Sequence, residues 1–190
     1  MLIYFLTIGL SIGIYLILNH GKVTSSISDN KRAYLPLVAA SLPPMVVSAI
    51  RYNVGTDYFT TYYSGFYRIL NGSLFDQFEI GYWLVNKAVQ LFTDNVFVLF
   101  ALTAVLFVGF TYAAIGSLSD NVVLSIMMLM FTRYYFISMN GVRQFIALAI
   151  FAYAMRYVVD RNLKKYLLFA CLAMSFHVST FVLLPIYWLI

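Results

Sequence analysis

Charged and hydrogen-bonding side chains are rare in this chain, and those with chemical potential fall in short, separated stretches. The first is Arg51-Tyr52-Asn53-Val54-Gly55-Thr56-Asp57-Tyr58, where an arginine and an aspartate flank a glycine at the end of an apolar run. Asp76 and Glu79 follow; Asn140, Arg143 and Gln144 sit together further on, and His177 lies alone in a late apolar run. Two arginines can clamp a phosphate or pyrophosphate through bidentate, charge-assisted hydrogen bonds. A carboxylate (Asp57 or Glu79) or an imidazole (His177) can take a proton from an attacking hydroxyl. Gly55 allows a tight turn that would let Asp57 point back toward Arg51. The rings of Tyr58 and Tyr62 offer flat surfaces for sugars or lipid chains.

Each residue also has a plainer use. Arg51 and Arg143 stand at the ends of apolar runs, where an arginine often reaches only for a headgroup. His177 could bond a neighbouring carbonyl, although an ionisable residue within a membrane span is by default a functional one. Arg133, beside Tyr134 and Tyr135, is either a third site cation or a snorkelling one. No metal or nucleotide cofactor is expected. His20 and His177 fall in unrelated places, there is no His-Glu-x-x-His or cysteine pair, and no glycine loop for phosphates occurs. A Gly-x-Ser-x-Gly nucleophile turn is absent too.

The elements that must position these residues are set by composition. Of 190 residues, 63% are hydrophobic and only 10% charged, with a mean hydropathy of +0.86. Soluble domains carry about 25% charged residues, so the chain reads as an all-α, polytopic integral membrane protein. The net charge of +5 is no sign of nucleic-acid binding, because the basic residues are scattered or flank apolar runs. The lone Cys171 permits no intrachain disulfide. The first apolar run lacks a basic leader and a cleavage site, and so is expected to be a retained span.

Six spans are expected, at about 2–18, 33–50, 96–115, 122–138, 142–159 and 166–190, in a single domain. Pro36 and the pair Pro43-Pro44 should kink or break the second. Such a break is tolerated only where protein or a polar cavity satisfies the freed carbonyls. The stretch 51–95 is too polar to span. Its two helix-compatible segments, 58–70 with Tyr58, Tyr62, Phe66 and Ile69 on one face, and 79–92 with Trp83, Lys87 and Gln90, suit interfacial or re-entrant helices. The last span would carry His177 near the membrane midplane. The chain stops in apolar Ile186-Tyr187-Trp188-Leu189-Ile190, which we read as an incomplete C-terminus.

Loop charge orients the spans. Lys22, Lys31 and Arg32 in the first loop, and Arg161, Lys164 and Lys165 in the fifth with Arg156 just before it, mark those loops as cytoplasmic. The third loop holds only Asp120 and gives no vote. The N-terminus, the 51–95 stretch and the Asn140-Gly141 turn are then outside.

Four motifs, in order, resemble the EpsG family, relatives of Wzy-type exopolysaccharide polymerases. They are Arg51-Tyr-Asn-Val-Gly55-Thr56-Asp57-Tyr58 followed by Tyr62, Glu79-Ile-Gly81-Tyr82, Asn140-Gly141-Val-Arg143-Gln144-Phe-Ile-Ala147, and Phe176-His177-Val-Ser179. The resemblance implies a multi-pass protein of the bacterial cytoplasmic membrane. It would join oligosaccharide repeat units carried on undecaprenyl pyrophosphate, at the outer face, without metal or nucleotide. Its partners would be the lipid-linked oligosaccharide, the bilayer and other polysaccharide-export proteins. Arg51 and Arg143 would hold the pyrophosphate, Asn140, Gln144, Tyr58 and Tyr62 would line the site, and Asp57, Glu79 or His177 would act as base. A flippase or transporter of the same lipids, and a membrane O-acyltransferase, stay open as other readings.

Overall fold

The computed structural model describes residues 2–22, 34–72 and 78–189. Asp76, Lys31 and Arg32 lie outside the described residues. Everything described is helix or connection: α1 (Leu2–Leu18), α2 (Tyr34–Ala49), a π-helical turn (Tyr58–Tyr63) running into α3 (Ser64–Leu70), α4 (Ile80–Gln90), α5 (Val96–Leu118), α6 (Val122–Phe131), α7 (Tyr134–Ser138), α8 (Val142–Val159), α9 (Leu163–Phe176), a 3₁₀ segment (Val178–Leu183) and α10 (Ile186–Leu189). α1, α2, α5, α8 and α9 pack in that order, each against the next, while α6 leans on α1 and α5. The expected all-α fold is what the described residues adopt.

By length and composition, α5 and α8 are apolar enough to cross a membrane. At about 1.5 Å per residue, the 23 residues of α5 extend about 34 Å. α1, α2 and α6 are apolar but shorter. α5 and α6 each begin with an asparagine cap, Asn95 accepting from the Phe97 N–H and Asn121 from the Leu124 N–H, so each start is fixed by its own sequence.

α2 runs through Pro43 and Pro44 as one assigned helix rather than breaking there. The freed carbonyls explain how. Pro44 has no N–H to bond the carbonyl of Ala40, four residues earlier. That carbonyl instead accepts from the buried Ser11 hydroxyl of α1 at 2.7 Å, and Ser11 in turn meets the Tyr112 hydroxyl of α5 at 2.6 Å. The Pro44 carbonyl accepts from the Tyr135 hydroxyl at 2.7 Å. Ser11, held in turn by Tyr112, thus supplies the donor that Pro44 removes, as a backbone away from water requires, and Tyr135 adds a further bond that ties α7 to α2. Ser11→Ala is expected to cost about 1 kcal/mol, seen as an earlier unfolding midpoint in detergent; an unchanged midpoint would contradict this role.

Two expected spans are not continuous helices. The 122–138 run ends at Phe131 and restarts at Tyr134, because Arg133 takes a left-handed conformation with φ 64° between them. The 166–190 run ends at Phe176. His177 is extended there, and the chain continues as 3₁₀ structure. The Tyr166 hydroxyl, near the start of α9, donates to the carbonyls of Leu183 and Leu184 at 3.1 and 3.0 Å. The segment after His177 therefore folds back along α9 instead of prolonging it. Thr180 stabilises this reversal by donating its hydroxyl and its N–H to the His177 carbonyl at 2.8 and 3.1 Å, and Pro185, lacking an N–H, fits a chain that has left the helix.

The polar 51–95 stretch forms the two helices expected of it, joined as a hairpin. Tyr58, Tyr62, Phe66 and Ile69, the face read from the sequence, are all buried. From α4, Lys87 donates to the Ile69 carbonyl at 2.9 Å and Gln90 to the Phe66 carbonyl at 2.9 Å. Those side chains give the Phe66 and Ile69 carbonyls a second donor and tie α4 to α3. The hairpin rests on α9 and, less extensively, on α5.

Candidate functional site

The end of the bundle holding the C-terminus of α2, the N-termini of α4 and α8, and the C-terminus of α9 gathers the chemically capable side chains. The basic 160–165 loop joins the other ends of α8 and α9, so the site and that loop are at opposite ends of the same helices.

At the centre is Glu79. One carboxylate oxygen is ion-paired with the Arg143 guanidinium, and the other is 2.9 Å from Nδ1 of His177. The three come from different elements: the residue before α4, the first turn of α8 and the residue closing α9. Gly81 makes their meeting possible. A Cβ there would lie 2.5 Å from the Ser175 hydroxyl and 2.8 Å from its carbonyl oxygen, so only glycine lets α4 approach α9 so closely. Gly81→Val is expected to push the two helices apart and cut activity by about tenfold or more, since a misplacement of about 1 Å can cost that much. Near-normal activity with normal membrane levels would show the contact to be dispensable.

Burial works to raise the Glu79 carboxyl, but its own backbone N–H, Arg143 and His177 outweigh it and hold it below the usual carboxylate range. An ionised Glu79 accepts only, so Nδ1 of His177 carries the proton toward it, and in the neutral imidazole the lone pair is then on Nε2. That assignment follows from the carboxylate. It is the arrangement that orients a histidine base.

Arg51 is a different kind of cation. It is buried, at 6% exposure, with its guanidinium 4.7 Å over the Phe100 ring and a bond to the Ser48 hydroxyl at 3.4 Å. Tyr58, Tyr62, Tyr82 and Tyr135 surround it, and among the described residues no carboxylate is paired with it. Burial lowers its pKa from the ordinary value, and the tyrosine oxygens act in the opposite sense. Its Nε and the buried Tyr58 hydroxyl have no hydrogen-bond partner among the described residues. A buried positive charge with spare donors and no counter-charge is suited to an incoming anion.

Tyr62 joins the two halves. It lies in the field of Arg51 on one side and in hydrogen-bonding reach of Arg143 on the other, while burial raises its own pKa. Tyr62 thus lies between the Arg51 cation and the Arg143–Glu79–His177 chain, although these residues span more than 120 positions of sequence.

The expected turn of Asp57 back to Arg51 does not form. Its backbone N–H donates to Oδ1 of Asn140 at 3.0 Å, and the Thr56 hydroxyl reaches that same oxygen at 3.3 Å. The physical reason is Gly55, whose φ of +83° bends the chain toward Asn140; a Cβ at residue 55 would lie 2.3 Å from the Asn140 oxygen. Asn140 thus binds protein, tying the Arg51–Tyr58 turn to the start of α8. Gln144 is exposed, and so is Arg133, at the break between α6 and α7. Among the described residues neither bonds Glu79, His177 or Arg51. His177, expected midway along a span, stands at a helix end level with Arg143. Sequence reading missed Phe100, Tyr82 and Tyr135 around Arg51 and the Gly81–Ser175 contact. The glycine in Glu79-Ile-Gly81-Tyr82 was the available signal. Among the described residues no group of ligands suited to a metal ion occurs.

The family model described as EpsG family matches residues 34–190. Comparison with curated proteins and with solved structures gives no match.

Proposed function

The chain belongs to the EpsG family, and from that premise we propose that it polymerises lipid-linked oligosaccharide repeat units. In this reading a glycan on undecaprenyl pyrophosphate is transferred to a hydroxyl of a second unit, at the outer face of the cytoplasmic membrane. Family membership and the apolar helices support the coarser statement, a helical membrane protein with a polysaccharide-related role. The finer one rests on a single observation: an uncompensated buried guanidinium and a carboxylate-oriented imidazole stand at the same end of the bundle, with Tyr62 between Arg51 and Arg143.

Nε2 of His177 accepts the proton of the acceptor hydroxyl as its oxygen attacks the anomeric carbon. The bond from that carbon to the pyrophosphate oxygen breaks, and the negative charge gathering there is stabilised by Arg51 with the Tyr58 hydroxyl beside it. Glu79 fixes the tautomer and balances the imidazolium. Arg143 holds Glu79, so it serves as a positioning residue more than as a second clamp. Asn140 holds the 55–57 turn.

The test is complementation. Cells lacking their own repeat-unit polymerase and making a matching lipid-linked unit should gain a ladder of glycan lengths when this protein is supplied. Export of single units without longer chains would instead mean translocation, and would overturn the proposal.

A further inference from the structure

At the other end of the bundle from Arg51 lies a second set of cations that the proposed chemistry leaves unused. Arg156, in the last turn of α8, places its guanidinium 5.3 Å from the ring centres of both Tyr153 and Tyr157 and donates to the Tyr153 hydroxyl at 3.1 Å. Its Nε is buried without a hydrogen-bond partner among the described residues. Lys165, in the first turn of α9, has Nζ 5.6 Å from the Tyr157 ring centre. Neither is in an ion pair among the described residues.

From these cations a groove runs along α5 toward the middle of the bundle. It consists of two adjoining hollows that share Gly109 and Ala113: one of about 140 Å³ beside Tyr34, Val38 and Met45 of α2, and an open, shallow one of about 450 Å³ beside Tyr153 and Phe169. The Tyr34 hydroxyl, at the mouth, lies within electrostatic range of Arg156. From Ala113 to Val105, which also lines the groove, the helical rise is about 12 Å. The lining is almost wholly apolar, and the absent side chain of Gly109 deepens it.

We propose that this groove holds one acyl chain of an anionic phospholipid whose phosphate sits at Arg156 and Lys165. Charge complementarity fixes the occupant: two cations, neither in an ion pair among the described residues and with only Asp160 near the Tyr157 ring they share, stand at the membrane-surface end of an apolar slot. Basic residues just inside a membrane surface attract anionic lipid headgroups, and the slot supplies what a free anion could not use. The guanidinium, already close to two rings, has N–H groups left over for a phosphate in the planar array that suits it.

The experiment uses the full chain, purified in mild detergent and incubated with equal phosphatidylglycerol and phosphatidylcholine, then delipidated stepwise and weighed intact by native mass spectrometry. About one phosphatidylglycerol per chain should persist, favoured about tenfold or more over phosphatidylcholine. Arg156→Gln with Lys165→Gln should erase the preference, and Gly109→Phe should reduce retention while leaving the charges in place. Equal retention of both lipids by the unaltered protein would overturn the proposal, and that comparison needs no variant to fold. So would inorganic phosphate binding with no lipid retained, or a lipid-free dimer that depends on Arg156, which would assign the groove to a second copy.

Discussion

Arg51→Lys is expected to reduce polymer formation by about 10²–10³-fold, the usual effect of removing one donor from a site where negative charge develops. Membrane levels of the protein should stay normal. The substitution keeps the charge and removes what the fold has built around. The Arg51 guanidinium sits 4.7 Å over the Phe100 ring and is ringed by tyrosines, a setting that suits a planar, weakly hydrated cation and not a compact ammonium. The fork of N–H groups is also what allows two phosphate oxygens to be held at once. Chain length on a glycan gel, with immunoblotting of membranes, reads both halves of the claim. Wild-type polymer from Arg51→Lys would remove the leaving-group role and leave Arg51 as a packing residue.

His177→Asn should cost about 10²–10⁴-fold in rate, the span attributed to a positioned general base. Asparagine can still donate from near the place of Nδ1 toward Glu79, so the tie between α9 and α4 is kept while the basic Nε2 is lost. Unfolding in detergent should therefore change little. If activity survives, the base lies elsewhere, and Asp57 becomes the next residue to alter.

Glu79→Gln separates orientation from proton transfer. It leaves Arg143 without its carboxylate and frees the His177 tautomer, so both activity and stability should fall. The pH dependence has a definite sign. A carboxyl held below its ordinary value contributes stability that is complete above the unfolded-state pKa and is lost as pH falls through the lowered folded value. The native protein should therefore lose stability on acidification in that range and Glu79→Gln should not. Parallel acid titrations of the two unfolding midpoints would show it, and identical curves would contradict it.

Much of this was legible in the sequence, for reasons that vary with the residue. The apolar runs of α1, α2, α5 and α8 could be read directly, because a nonpolar surround leaves composition as the dominant signal. The buried face of Tyr58, Tyr62, Phe66 and Ile69 followed from helical spacing. Arg51, Glu79, Arg143 and His177 stood out because charge is costly among such neighbours. Their pairing was another matter. Nothing local reveals that Glu79 takes both Arg143 and His177, since that depends on how closely α4 approaches α9, and this was set by the missing side chain of Gly81. Asp57 was misdirected for the same reason. Its turn was foreseen from Gly55, but the partner, Asn140, lies 83 positions away.

The breaks in α6–α7 and after α9 were hidden because hydropathy does not distinguish a helix from a fold-back of equal polarity. The 178–184 segment is as apolar as the helix it leaves. Only the bonds from Tyr166 to Leu183 and Leu184 show that the chain has turned. In α2 the error ran the other way. Two prolines argued for a kink or a break; the helix does not break, and Ser11, distant in sequence, supplies the donor missing at Ala40.

The central claim, glycosyl transfer from a lipid pyrophosphate by this chain alone, is tested most directly in liposomes. The purified protein would be given a lipid-linked repeat unit as both donor and acceptor, without nucleotide and with a metal chelator present. Free lipid pyrophosphate and glycan length would be followed together. The account predicts one lipid pyrophosphate released for each new glycosidic bond, with both signals lost in His177→Asn. Movement of the lipid between leaflets with no new bond and no released pyrophosphate would contradict it.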